Sequence, residues 1–255
     1  MTKKASKTVA GPLDDPASVD CYGLDGCKGG WVCAHLERGR LGFTVHPRFS
    51  DFIATISSHS RIYIDIPIGL QNSKSPDRMC DIEARQLLRP RRSASVFNAP
   101  VRDILYAKSH RLASEKSREL TGKGISQQTF NIINKIIEVD ESIRSGAASG
   151  MTIKEAHPEL CFFGLNNQEA MQYNKKTQQG RDQRLAVLAK YIPKIEGQLI
   201  AASKSYPRRL VALDDFVDAA VTALAATLHQ HCVRVPTTPQ LDPAGIPMEI
   251  LYPLV

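Results

Sequence analysis

Between residues 21 and 66 the chain reads as four short apolar runs, two of which close on aspartate. The first, CYGLD, ends in Asp25 and is followed by the glycine-rich turn Gly26-Cys27-Lys28-Gly29-Gly30. Glycines there supply the positive φ angles of a tight reversal. WVCAHL (31–36) is a second strand, and Glu37-Arg38-Gly39-Arg40 turns the chain into a third at residues 41–45. Two hairpins in succession predict an antiparallel three-strand meander. Ser50-Asp51 resembles a helix N-cap, with Phe52, Ile53 and Ile56 spaced for one helical face. RIYIDI (61–66) is a fourth strand, stopped by Pro67. Three strands, a helix and a strand, followed later by another strand and a late helix, predict an α/β protein.

The rest of the chain fills in that frame. Residues from about 70 to 150 read as a helical insertion after the fourth strand, with helices over 81–88 and 127–143 and loops containing Pro76, Pro90 and Pro100. Residues 71–150 hold 14 Lys+Arg against 9 Asp+Glu, so most of the chain's net charge of +7 lies there. A fifth strand is expected at 151–156, and helices at 181–191, 195–203 and 214–228. Residues 1–20 read as a flexible N-terminal tail, 21–232 as one domain, and the proline-rich 233–255 as a C-terminal tail. A chain of 255 residues suits one domain carrying an insertion. No run approaches the roughly 18 apolar residues that span a bilayer. The first 20 residues lack the apolar stretch of a signal peptide. Six cysteines without a CxxC pair suggest reduced thiols, hence a cytoplasmic protein. Cys21, Cys27 and Cys33 do not match a zinc spacing and are expected as small buried side chains. Trp31 is expected beneath the sheet.

The acids carry the chemistry. Asp25 closes the first strand, Asp65 closes the fourth, and Asp215 and Asp218 lie three apart on the late helix, hence on one face. An acid inside a run as apolar as RIYIDI is costly unless something pairs with it. Several buried carboxylates make sense around divalent cations, which as hard ions take oxygen ligands. Two such ions roughly 3.5–4 Å apart activate water and stabilise the leaving oxygen of a phosphodiester. Simpler roles exist: Asp65 as a strand terminator, Asp214 as a cap, Asp215 as a partner of the helix dipole. Asp218 sits too deep in the helix for a cap.

The stretches GLDGCKGGWV, YIDIPIGL, RMCDIEARQLL, SVFNAPVR, GISQQTFNIINKIIEVDE, KEAHPELCFFGL and LDDFVDAAVTALAA resemble domain-of-unknown-function family 429, described as predicted RNase H-like nucleases. They run in order across roughly residues 21–228. The late helix also resembles the D-x-x-D-A pattern of RuvC-type resolvases, with Asp215 and Asp218 in the acidic places. The resemblance implies an RNase H-like mixed sheet flanked by helices, with Asp25 as the first-strand acid and Asp65 as the fourth-strand acid. RuvC-type enzymes usually carry glutamate at that second place, so Asp65 is a shorter ligand.

Other groups are candidates for the same site. Glu155, His157 and Glu159 alternate along the expected fifth strand and could face one side; Glu155 is the added metal ligand. Pro158 could instead end the strand. Arg89, Arg91 and Arg92 form a basic cluster suited to phosphate oxygens, or a solvated face. Lys28 lies beside Asp25 in the glycine turn. Gln128 could present an amide to substrate, although Ser126 could simply cap a helix there. The leading expectation is a nuclease that hydrolyses phosphodiesters with Mg²⁺ or Mn²⁺ held by Asp25, Asp65, Asp215 and Asp218, acting on DNA or RNA. A homodimer is compatible with the sequence, which does not fix the assembly. Two rivals share the core: an actin-like phosphotransferase, against which no second phosphate loop is present, and a non-catalytic nucleic-acid or protein-binding module.

Overall fold

The structure, a computed structural model, describes residues 19–74 and 77–255. The expected N-terminal tail therefore lies almost wholly outside the described residues. Strands β1 (Cys21–Cys27), β2 (Gly30–Glu37) and β3 (Arg40–His46) form the meander. Arg38 and Gly39 at the second turn both have positive φ, 47° and 74°. Their twist matches that of the flanking strands. After α1 (Phe49–Ile53), β4 (Arg61–Ile64) pairs parallel to β1, and β5 (Thr152–Glu155) pairs parallel to β4. The sheet order is β3-β2-β1-β4-β5, a mixed α/β sheet consistent with an RNase H-like fold.

Alternation along the strands sorts side chains onto two faces. Leu24, Trp31, Cys33, Ile62 and Ile64 pack with Phe49 and Phe52 of α1 and with Ile133, Ile136 and Val139 of α4 (Gln127–Arg144). Trp31 is fully buried there, its indole N–H donating to Glu138 at 2.9 Å. Helix α4 thus belongs to the sheet's own layers. The appended part is the segment before it, with α2 (Met79–Leu87) and α3 (His110–Thr121). Cys21, Cys27, Val32, Ala34 and Tyr63 face the other side, against α5 (Pro158–Leu165), α6 (Gln178–Leu188), α7 (Ile195–Ser205) and α8 (Leu213–Thr227).

Helix α8 is buried without interruption from Phe216 to Ala226. Its alanines let it lie close to β1, and Gly23 completes the approach. A Cβ on Gly23 would stand 2.0 Å from the Ala223 nitrogen and 2.3 Å from the Ala219 carbonyl oxygen. This contact fixes how far α8 can slide over the sheet.

The proline-rich C-terminus is not a tail. β6 (Cys232–Leu241) and β7 (Pro247–Pro253) form an antiparallel hairpin whose register shifts between Val235 and Gln240. Pro236 and Pro239 fall within that irregularity, where missing N–H donors cost no ladder bond. Asp242 at the hairpin turn accepts from Leu70 N–H at 3.0 Å and from Arg102 at 2.7 Å; Arg102 also bridges to Asp140 of α4 at 2.6 Å. No helix among the described residues is long and apolar enough to cross a membrane.

Candidate functional site

Strand parity brings the two strand acids together. Tyr63 faces α8, so Asp65, two residues on, points the same way. On β1, Cys21 and Gly23 face α8, so Asp25 does as well. Leu24 pairs with Ile64, and the Asp65 N–H donates to Leu24 O at 3.0 Å, which sets Asp25 and Asp65 on adjacent strands at one level. Adjacent strands lie about 4.8 Å apart. From above comes Asp218, one turn before Thr222 and adjacent to Ala219, the residues that press on Gly23. Asp25 is 9% exposed and Asp218 1%. Three carboxylates from three elements therefore converge at one end of the sheet.

Their mutual field is visible in their protonation. Burial raises the Asp25 carboxyl well above the usual range, and repulsion from Asp218 and Asp65 pushes it further. Burial lifts Asp218 to about 6, against the opposing pull of Lys175, with Asp65 and Glu159 adding to the rise. Asp65 is raised by burial, opposed by His157 and Lys175. Lys175, in the loop before α6, forms an ion pair with Asp218 and lies 3.9 Å from Asp214. Its ammonium is held protonated by Asp218 and Asp25, which outweigh its desolvation. Asp215 is half-buried and accepts from the Ala212 N–H at 2.8 Å, closing the first turn of α8. One of its oxygens thus serves the helix N-terminus. The Gly26 N–H donates to Asp25 Oδ1 at 2.7 Å and orients that carboxylate.

Glu155, expected as a further metal ligand, is committed elsewhere. It is 6% exposed, receives Arg78 Nη2 at 2.5 Å and the Ile68 N–H at 2.7 Å, and burial lifts its carboxyl to about 7. The expected alternation of Glu155, His157 and Glu159 stops because Pro158 opens α5, as a proline at N1 can. Glu159 instead forms a buried ion pair with Arg184, and its Oε2 has no hydrogen-bond partner among the described residues. His157 Nε2 lies 3.2 Å from Ser95 O, and its Nδ1 is buried with no hydrogen-bond partner among the described residues. Arg92 donates to the carbonyls of Met171 and Gln172 at 2.9 and 2.8 Å, a structural tie, whereas Arg89 and Arg91 are exposed. Gln128 is exposed in the first turn of α4, which Ser126 caps. Lys28 is exposed at the turn beside Asp25. Nothing in the sequence singles out Lys175, although the Lys175-Lys176 pair is plain to see. It lies in a loop, where no periodicity points at a target.

The donor set suits a hard cation: all oxygens, crowded, and compensated by one ammonium. In the side-chain arrangement seen, with Lys175 on Asp218, no group of three His, Cys, Asp or Glu among the described residues closes around a metal position. Cys27, near the acids, has its thiol pushed up chiefly by burial, which leaves it a poor nucleophile at neutral pH. A family model described as "Protein of unknown function (DUF429)" matches residues 23–241. No curated protein and no solved structure matches the chain. The matched span contains the five-stranded sheet from Gly23 of β1 onward, all four acids and Lys175, and the chain belongs to the DUF429 family.

Proposed function

We propose that the protein is a divalent-cation-dependent phosphodiesterase that hydrolyses nucleic acid. The supporting observation is the convergence of Asp25, Asp65 and Asp218, from β1, the end of β4 and α8, as crowded carboxylates that repel one another, Asp25 and Asp218 buried and Asp65 half-buried. Such repulsion is stored at a site when a ligand is there to relieve it. Asp25, Asp65 and Asp218 would hold Mg²⁺ or Mn²⁺, with the second oxygen of Asp215 at the rim. When bound, such ions generate a water nucleophile near neutral pH and stabilise the departing oxygen.

The chain's own groups do the positioning. The Gly26 N–H fixes Asp25, and the β1–β4 ladder fixes Asp65 beside it. Lys175 tethers Asp218 and offers a cation to a phosphate that enters between them. No side chain need become covalently attached. Labelled oligonucleotides incubated with Mn²⁺, Mg²⁺ or EDTA test the reading. Metal-dependent cleavage that disappears in both Asp25→Asn and Asp218→Asn is the expected result; cleavage unchanged in both excludes the acids from the chemistry. The Lys175–Asp218 ion pair favours one rival, a binding module in which an ammonium has replaced the cation. That rival predicts nucleic-acid binding with no cleavage under any metal.

A further inference from the structure

Next to the acids lies a cleft of about 730 Å³ between the β1–β2 turn, the first half of α4 and the loop leading into α8. Among the described residues, five cations line it: Lys28, Lys135, Lys176, Arg208 and Arg209. Three carboxylates share the lining, and two of these are already engaged. Glu138 accepts from the Trp31 indole and from Phe49 N–H, and Asp215 from Ala212 N–H. Asp214 and Asp215 belong to both the cleft and the acid end of α8, and Gly26, next to Asp25, lines it too, so whatever lies in the cleft abuts the edge of the acid site.

The segments that carry Lys28, Arg208 and Arg209 are tied together, and Lys135 is anchored. The Gly29 N–H donates to Leu210 O at 2.9 Å, tying the Lys28 turn to the Arg208-Arg209 loop. Lys135 donates to Gly30 O and stands 4.6 Å over the Trp31 ring, which leaves further ammonium protons for a ligand. Asn131 and Asn134, on the α4 face of the cleft, are exposed and add neutral donors.

We infer that this cleft is the groove for the phosphate backbone of a paired nucleic-acid strand. The inference rests on the phosphodiesterase reading for its substrate class and extends it to the form of the substrate. Cations spread over four segments, the β1–β2 turn, α4 and the loops before α6 and α8, suit a row of phosphates. Among the described residues, the lining includes no aromatic side chain. Sites for single strands rely on stacking bases on aromatic rings, each worth roughly 1–3 kcal/mol. A groove of cations and amides without rings grips a backbone and leaves bases paired. This places substrate at Lys176, Arg208 and Arg209, and not at the Arg89–Arg92 cluster favoured by sequence, where Arg92 is bound to carbonyls.

Fluorescence anisotropy with a short labelled duplex and its single strand, in EDTA across a salt series, is the test. A Lys176→Ala, Arg208→Ala, Arg209→Ala variant removes only exposed side chains, and a thermal melt checks that it folds. Its duplex affinity falls by at least about tenfold, and the slope of log affinity against log salt flattens by about two to three units. An Arg89→Ala, Arg91→Ala control keeps the parent's affinity and slope, and the parent binds duplex more tightly than single strand. Equal binding by parent and triple variant, preference for the single strand, or no binding by the parent overturns the groove. Cleavage is scored separately: loss of binding in the triple variant of a parent that never cuts upholds the groove and removes the hydrolysis. A cutting parent with an unaffected triple variant does the reverse.

Discussion

Asp218 carries the largest physical tension in the site. Its carboxyl titrates at about 6 in the folded chain, above its ordinary value, so the folded state binds that proton more tightly than the unfolded one. Between the two values folding is favoured by protonation, and stability declines as pH rises toward 6; at pH 7 the full penalty is present. A rise of that size costs on the order of 3 kcal/mol. Without metal, the parent should therefore melt higher at pH 5 than at pH 7. Asp218→Asn removes the charge while keeping an oxygen for Lys175, so it should melt as high or higher at pH 7 and show a flatter pH profile. A profile as steep as the parent's would locate the tension in other groups. Lys175→Met acts in the opposite direction, stripping three carboxylates of the ammonium that favours their charged forms. It should lower apo stability at pH 7 by on the order of 2 kcal/mol, less than for a fully enclosed pair because Lys175 is partly exposed. Mn²⁺ should restore much of that loss. If the melt is unmoved by the substitution, Lys175 does not neutralise the cluster. The sequence made Asp25, Asp65 and Asp218 legible because each is an acid where periodicity demands an apolar residue. It did not show that Glu155 is paired with Arg78, because an alternating run does not reveal a partner 77 residues away.

At the scale of elements, the contact of β1 with α8 sets the site. Gly23→Ala would drive a Cβ into the α8 backbone at Ala219 and Ala223, atoms that cannot rotate aside. The helix would have to lift, at a cost of about 3 kcal/mol or more. Because Asp218 rides on that helix, metal-induced stabilisation should shrink along with the melting temperature. A variant with the parent's metal response and melting temperature would mean that the helix tolerates the shift. The meander, β4 and α8 were readable because alternation, turn glycines and an alanine-rich run are local signals. The C-terminal hairpin was not, because its prolines resemble a tail until the register shift that accommodates them is seen. Nor was the division of the helical insertion, since α4 takes its place on the sheet through Ile133, Ile136 and Val139 packing on distant strands.

Across the whole molecule, positive charge and acid chemistry are arranged side by side. The charge count drew attention to residues 71–150, where the surplus lies, yet of the cations lining the cleft only Lys135 among the described residues belongs to that span; the others come from the β1–β2 turn and the loops before α6 and α8. Folding, and not local density, decides which charges face the site. The claim that organises the molecule is that Asp25, Asp65 and Asp218 are crowded because a divalent cation belongs among them. Calorimetric titration of the metal-free protein with Mn²⁺, beside Asp65→Asn and a combined Asp25→Asn, Asp218→Asn variant, tests this without needing the right substrate. The parent should take up Mn²⁺ with measurable heat and release protons as it binds, since Asp218 is partly protonated near its value of about 6. Binding should weaken in Asp65→Asn and vanish in the combined variant. A parent that takes up no Mn²⁺, or a combined variant that binds it equally well, would contradict the cation site.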